Sequence, residues 1–257
     1  RQSLVGSEMC IRDRSNIANI GLVLGVTSII VPLHLSQSTF DIEFRLMLVG
    51  LAIFTLIISD LTIVRLDGII LATSLLIILF LMIKFSGQGV PTGDNFHETQ
   101  RPGLWKSVLM LLAGFIFMLL GSEALVRGSV GLAKIFGASD LFIGLTIVAI
   151  GTSLPELAAS VAGALKKEAD IAIGNIIGSN TFNALAVTAM PAFVEPFSIE
   201  VEALSRDVTT MWLLTIILIL ILLIGKNKLT ICRRGGYILL ACFCFYQFSL
   251  FQMQLVT

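Results

Sequence analysis

The residues of this chain that could do chemistry gather at three places. Glu156 follows Gly151-Thr152-Ser153-Leu154-Pro155 inside an otherwise apolar run. Pro155 has no N–H, and its ring clashes with the carbonyl four residues back, near Gly151, so a helix here is expected to break and free some carbonyls. Thr152 and Ser153 add hydroxyl oxygens beside the break. The other two places are a matched pair: Ser15-Asn16-Ile17-Ala18-Asn19 recurs as Ser179-Asn180-Thr181-Phe182-Asn183. In each copy the serine and the last asparagine are four apart, hence on one face of a helix. The donors are one carboxylate, hydroxyls, amide oxygens and open carbonyls, the hard set that calcium takes six to eight at a time and sodium in smaller number. With no thiolate or imidazole cluster nearby, soft transition metals are disfavoured. The plainer reading of the break is a packing kink whose backbone Ser and Thr mend.

The elements that must position these groups are set by composition. Of 257 residues, 56% are hydrophobic and 13% charged, with a mean hydropathy of +0.96; a soluble domain carries about a quarter charged residues. A single core of this length cannot hide so much apolar surface from water, so the excess faces lipid. A soluble enzyme, a secreted disulfide scaffold and a disordered chain are excluded. With 17 basic and 17 acidic residues the net charge is zero, which excludes a nucleic-acid partner that binds through its phosphates.

Windows of about 20 apolar residues cross a bilayer as helices. Eight such spans are expected, at 15–32, 44–64, 67–84, 105–133, 140–165, 170–191, 208–225 and 236–255, giving an all-α, polytopic transmembrane bundle. The segment 85–104, rich in Gly, Pro and polar residues, reads as a loop. Ten basic residues (Arg45, Lys84, Arg101, Lys106, Lys166, Lys167, Lys226, Lys228, Arg233, Arg234) fall after odd-numbered spans and four (Arg65, Arg127, Lys134, Arg206) on the other side. The positive-inside rule then makes the 85–104 loop cytoplasmic and the C-terminus external, in a multi-pass protein of the cell's inner (plasma) membrane. Glu195, Glu200 and Glu202 form an acidic outer face that suits a cation access vestibule or an ordinary solvated loop. On this topology Glu156 lies within the hydrocarbon, where an ionisable group is a functional hypothesis by default and freed carbonyls need a partner such as a cation. The two Ser/Asn segments run in opposite directions, the mark of an inverted-topology transporter repeat.

The run Gly144-Leu-Thr-Ile-Val-Ala-Ile-Gly-Thr-Ser-Leu-Pro-Glu156 with Ile173-Gly-Asn-Ile-Ile-Gly-Ser-Asn180 resembles the second alpha-repeat of the cation/calcium exchanger superfamily, the sodium/calcium exchangers and their bacterial relatives. Ser15 to Gly25 resembles the close of the first alpha-repeat, and Asp60 to Gly68 the stretch joining that family's fourth and fifth helices. The resemblance implies ten helices, of which this chain offers eight. It is expected to be an N-terminally truncated fragment, with Arg1–Arg14 a non-native junction. Residues 15–84 would then be the remainder of the first repeat half and 105–257 the second, with its alpha-repeat at about 121–190. The family's ligands carry over onto Ala149 (backbone carbonyl), Thr152, Ser153, Glu156 and Ser179, and onto Ser15 and Asn19. At Asn183 many members have aspartate, so the amide puts stoichiometry and potassium dependence in question. The mechanism implied is alternating access, with calcium and sodium competing for shared oxygens and the 105–133 span as a gate helix.

The leading function is therefore a secondary antiporter, not an enzyme, exchanging calcium for sodium. It needs no cofactor; its partners are the transported Ca2+ and Na+ and membrane lipid, and the oligomeric state is left open. A calcium/proton or other cation/proton antiporter (H+ or K+ as coupling ion) is the alternative, and a cation channel a lesser one. Glu123 and Arg127 are expected to form a structural ion pair, His34 and His97 to sit in loops, and Asp60, Arg65 and Asp67 to mark a turn. The four cysteines (Cys10, Cys232, Cys242, Cys244) read as packing thiols.

Overall fold

The computed structural model describes residues 14–86, 103–137, 143, 149–199, 201, 203–224 and 229–256. Helix α1 (Arg14–Ile30) leads through strand β1 (Leu33–His34) into α2 (residues 39–58), then β2 (Thr62–Ile63), α3 (Arg65–Ser86) and α4 (Leu104–Ile135). A short α5 (Ala149–Thr152) and α6 (Leu154–Leu165) come next. After them are α7 (residues 169–194), β3 (Phe197–Ser198), α8 (residues 203–224), β4 (Thr230–Ile231) and α9 (Arg233–Val256). The molecule is mostly helical. Among the described residues four stretches are long and apolar enough to cross a membrane: Arg65–Phe85, Leu104–Ile135, Leu204–Ile224 and Arg233–Gln252. The other expected spans coincide with α1, α2, the α5–α6 pair and α7, which are shorter or interrupted. Part of the 140–165 span and most of the 85–104 loop lie outside the described residues; Phe85 and Ser86, expected in that loop, are the last of α3.

The interruptions recur. π-helical turns occupy Asn19–Leu24 in α1, Thr39–Phe44 in α2, Asn183–Val187 in α7 and Ala203–Val208 in α8. The same sequence distance separates Asn19 from Asn183, Leu33 from Phe197 and Thr39 from Ala203. β1 pairs antiparallel with β4, and β2 with β3. Each pairing is extended by one matching bond, Leu35 N–H to the Leu229 carbonyl and Ile199 N–H to the Leu61 carbonyl, both 2.8 Å. Leu61 and Leu229, at φ 64° and 59°, take the left-handed conformation at equivalent turns.

The core lies where α1, α2, α7, α8 and α9 meet. Phe54, Met47, Leu51, Leu185, Met211 and Leu218 are buried there, each worth about 1.5–3 kcal/mol relative to exposure in water. Outward, large apolar side chains stay uncovered: Leu56, Phe80, Phe117 and Phe245 are each 60% exposed or more, as helices facing lipid require. α4 carries no buried residue; its main neighbours are α5 and α6. Glycine permits two close helix crossings. A Cβ on Gly236 of α9 would meet the Gly25 carbonyl of α1 at 2.7 Å, and one on Gly68 of α3 would meet the Ala192 Cβ of α7 at 2.9 Å.

At the α8 end of the bundle Asp207, fully buried, is 3.3 Å from the Arg14 Nε and 2.6 Å from the Arg206 Nε. Tyr246 of α9 donates its hydroxyl to the same carboxylate at 2.9 Å. Arg14, the last residue of the expected junction segment, is thus the first residue of α1 and is buried; residues 1–13 lie outside the described residues. Glu123 and Arg127 pair at 2.6 Å on the exposed face of α4. His34, expected in a loop, is in β1 and its Nδ1 is 2.8 Å from the Thr230 hydroxyl; His97 lies outside the described residues. Asp60 and Asp67 do mark a turn: they accept the Thr62 and Val64 N–H groups beside β2. Of the cysteines read as packing thiols, Cys242 is half-buried, but Cys232, in the link between β4 and α9, and Cys244, on α9, are exposed; Cys10 lies outside the described residues.

Candidate functional site

The break in the helix falls at Ser153 rather than at Gly151. α5 ends at Thr152, Ser153 takes φ −97° and ψ 3°, and α6 starts at Leu154 with Pro155 in its first turn. There the missing N–H costs nothing, since the first amides of a helix have no intrahelical partner, and the clash expected at the Gly151 carbonyl is relieved by ending α5 first. Gly151 has a different duty: a Cβ there would run into Val126 of α4. The break sets Glu156 in the first turn of α6, where the helix dipole favours a negative charge.

Three groups of contacts surround this point. Glu156 Oε1 accepts the Ser179 hydroxyl at 3.4 Å, while Oε2 is buried without a hydrogen-bond partner. Asn175 of α7 donates to the Glu156 backbone carbonyl and to the Ser160 hydroxyl, each at 3.2 Å, and Ser160 in turn reaches the Ala172 carbonyl. These bonds seat α6 on α7 and hold the carboxylate in place. Ser153 and Ser15 place their hydroxyl oxygens 3.2 Å apart, joining the break to α1. Asn183 donates its amide N–H groups to Ser15 Oγ (3.4 Å) and Asn16 Oδ1 (3.2 Å), and Asn16 donates to Met211 Sδ at 3.8 Å. Asn19 donates to Asn180 Oδ1 at 3.0 Å, which leaves Asn19 Oδ1 fully buried and unpartnered.

Asn19 and Asn183 each open a π-helical turn. Such turns recur at functional sites because the extra residue disturbs the backbone ladder and re-aims side chains. Of the residues expected at the site, Ser15, Ser153, Asn183, Ser179 and Glu156 are linked by the bonds above or lie within one helical turn of a linked residue. Asn19 stands one turn along α1 from Ser15. Thr152, at the end of α5, is exposed, and Ala149 opens α5 one turn before the break. Sequence reasoning leaves Asn16, Asn175, Asn180 and Ser160 out of the site. Their signal is present, since all three asparagines lie in the polar segments around the two repeats, but their partners are on distant elements.

Chemically this is a cage of neutral oxygens around one carboxylate. Among the described residues no three His, Cys, Asp or Glu side chains come together. Two buried, unpartnered oxygens, one charged and one amide, are costly in a low-dielectric interior, about 1–3 kcal/mol each and more for the charge. Asn180 Nδ2, beside Asn19, is also buried without a partner; the two oxygens, unlike this donor, are groups that a hard cation can take.

The bundle of helices and this cage define a membrane protein of the ion-exchanger class. A family model described as sodium/calcium exchanger protein matches residues 106–252, and the chain belongs to that family. It is 40% identical over 244 residues to the putative antiporter CaxA of Alkalimonas amylolytica, covering 92% of this chain and 76% of that protein. It is 37% identical to the inner membrane protein YrbG of Escherichia coli K12, over 80% of this chain and 66% of that one. Among solved structures it is similar to the sodium-calcium exchanger NCX_Mj soaked with Na+ and Sr2+, with a TM-score of 0.76 and 28% identity over 95% of this chain and 76% of that one. The family is one of transporters rather than enzymes.

Proposed function

We propose that the protein is a secondary antiporter that exchanges calcium for sodium by alternating access, with Glu156, Thr152, Ser153, the Ala149 carbonyl, Ser179, Asn183, Ser15 and Asn19 as cation ligands. The observation that carries this reading is the buried pair of unpartnered oxygens, Glu156 Oε2 and Asn19 Oδ1, beside the broken helix. One carboxylate among neutral donors favours ions that can be released as readily as they are bound, which transport needs. Sodium and calcium share such donors and exclude one another, so occupancy by one expels the other without covalent chemistry. Coupling then requires only different affinities in the inward- and outward-facing states.

The eight-span reading with inverted repeats belongs to the same proposal. α2 carries the chain from β1 to β2, so those strands lie at opposite ends of it. α1 leads into β1, whereas its counterpart α7 leads into β3, the partner of β2; equivalent helices running in opposite directions are what inversion means. The β1–β4 pairing puts the loops after the first and seventh spans at one end, and β2–β3 the loops after the second and sixth at the other, as alternation across a membrane requires. Residues 15–84 and 105–257 are then the two repeat halves, the basic odd-numbered loops face the cytoplasm, and α4, which buries nothing, is the gate helix.

The test is calcium flux in proteoliposomes. Uptake should follow an imposed outward sodium gradient and reverse with it at clamped voltage. Glu156→Gln should bring uptake to background with membrane insertion unchanged. Uptake that tracks a proton gradient instead, or persists in Glu156→Gln, would overturn the assignment.

A further inference from the structure

We infer that Asn16 and Asn180 are positioning residues that turn the carbonyl oxygens of Asn183 and Asn19 toward the cation, each acting across the interface between the two repeat halves. The inference rests on the proposed cation site and deepens it. A side-chain amide presents either an oxygen or an NH2, and only the oxygen can ligate a cation. Which end points inward is decided by where the NH2 finds an acceptor. In α1 and α7 the acceptors are crossed: Asn19 donates to Asn180 Oδ1 at 3.0 Å, and Asn183 donates to Asn16 Oδ1 at 3.2 Å. Asn19 and Asn183 are counterparts in the repeat, as are Asn16 and Asn180, so one device is used twice. Asn16 is itself fixed by its N–H on Met211 Sδ. Its counterpart Asn180 lacks such a bond: its Nδ2 is buried without a partner, next to a small apolar cavity that Asn180 lines with Met47, the residue matching Met211. With its NH2 so placed, Asn19 is left with a fully buried oxygen that no protein group satisfies, which is the state expected of a ligand waiting for its ion.

The experiment is calcium titration of the purified whole chain, read as the rise in melting temperature with calcium concentration, which follows the dissociation constant directly. Asn16→Leu and Asn180→Leu keep the branched outline of the side chain and remove the acceptor; outer-shell partners of this kind alter metal affinity by about 10–100-fold when lost. Each is expected to weaken calcium binding at least about tenfold on that scale, read from each variant's own calcium-free melting temperature, which falls because a buried amide NH2 loses its acceptor. Asn16→Asp and Asn180→Asp keep an acceptor and should stay within about threefold of the parent, a smaller change than loss of an outer-shell partner gives. If either Leu variant fails to fold, the smaller Ala variant carries the same comparison. Leu variants that bind calcium like the parent while Glu156→Gln does not would overturn the inference and leave the proposed function standing. Asp variants as weak as the Leu variants would overturn it too, because the amides would then point the other way. Parent-like binding by Glu156→Gln would overturn the site and the inference together.

Discussion

Asp207 is fully buried and is approached by two guanidinium groups and a phenol, from three different elements or ends of elements. A hydrogen bond to a charged group is worth about 1.5–3 kcal/mol, so Tyr246→Phe should lower the melting temperature measurably while leaving the chain folded. Asp207→Ala should do far more: it strands Arg14, 3% exposed, without a counter-charge, and breaking a buried pair costs about 3–5 kcal/mol. Size-exclusion profiles of the two variants, monodisperse for the first and aggregated for the second, check both. At this scale the sequence is legible where one residue's chemistry contradicts its surroundings. Glu156 beside a proline in an apolar run announces itself, and so do serine and asparagine repeating at helical spacing. Asn180 and Asn175 stand in the same polar segment without drawing notice, because what distinguishes them is a partner on another helix, and no local pattern encodes that partner. The burial of Arg14 is hidden for the same reason, since its counter-charge lies in α8.

Elements are bounded by backbone chemistry, and here the pattern of residues tells only part of the outcome. Where the expected apolar stretches fall on described residues they are mostly helical, four of them long and apolar enough to cross a membrane, but the proline's position marks where a helix restarts rather than where one stops. The π-helical turns leave no mark in composition, since an added residue rotates the rest of the helix without changing which residue types are used. The two-residue strands are equally invisible, being too short for any alternation to register and paired with segments far away in sequence. The close crossings give a prediction proper to this scale. Gly236→Val would force a branched side chain against the Gly25 backbone carbonyl, which lies only 2.7 Å from where its Cβ would sit, and backbone cannot yield as a side chain does. Overpacking costs typically about 1–3 kcal/mol, and here it should separate α9 from α1. Gly114→Val on α4, where a Cβ meets nothing, is the matched control. Yield of monodisperse protein after detergent extraction should drop for the first and hold for the second.

For the molecule as a whole, the proposed topology assigns each loop to a side. In a background without reactive cysteines, a membrane-impermeant thiol reagent added to intact cells should label cysteine at Glu195 and Asp60, and should label cysteine at His34 and Arg233 only after the membrane is opened. The same access for all four positions would refute alternation. Composition alone is enough to place this chain in lipid, and the charge asymmetry of its loops is the ground for the proposed direction. What composition does not supply is the pairing of β1 with β4 and of β2 with β3, which joins segments far apart in sequence.

That pairing also governs when the protein can be finished. β1 is made roughly 200 residues before its partner β4; at the usual pace of synthesis, about 5–20 residues per second, the interval is on the order of 10–40 s. Through that time α1 sits in the bilayer with Gly21 and Gly25 uncovered, because Phe243 and Gly236, the groups that close over them, have not yet been made. α1 and the helices that follow it are therefore a waiting intermediate whose completion is set by the clock of the ribosome, and α9, made long after α1, is the helix that locks it.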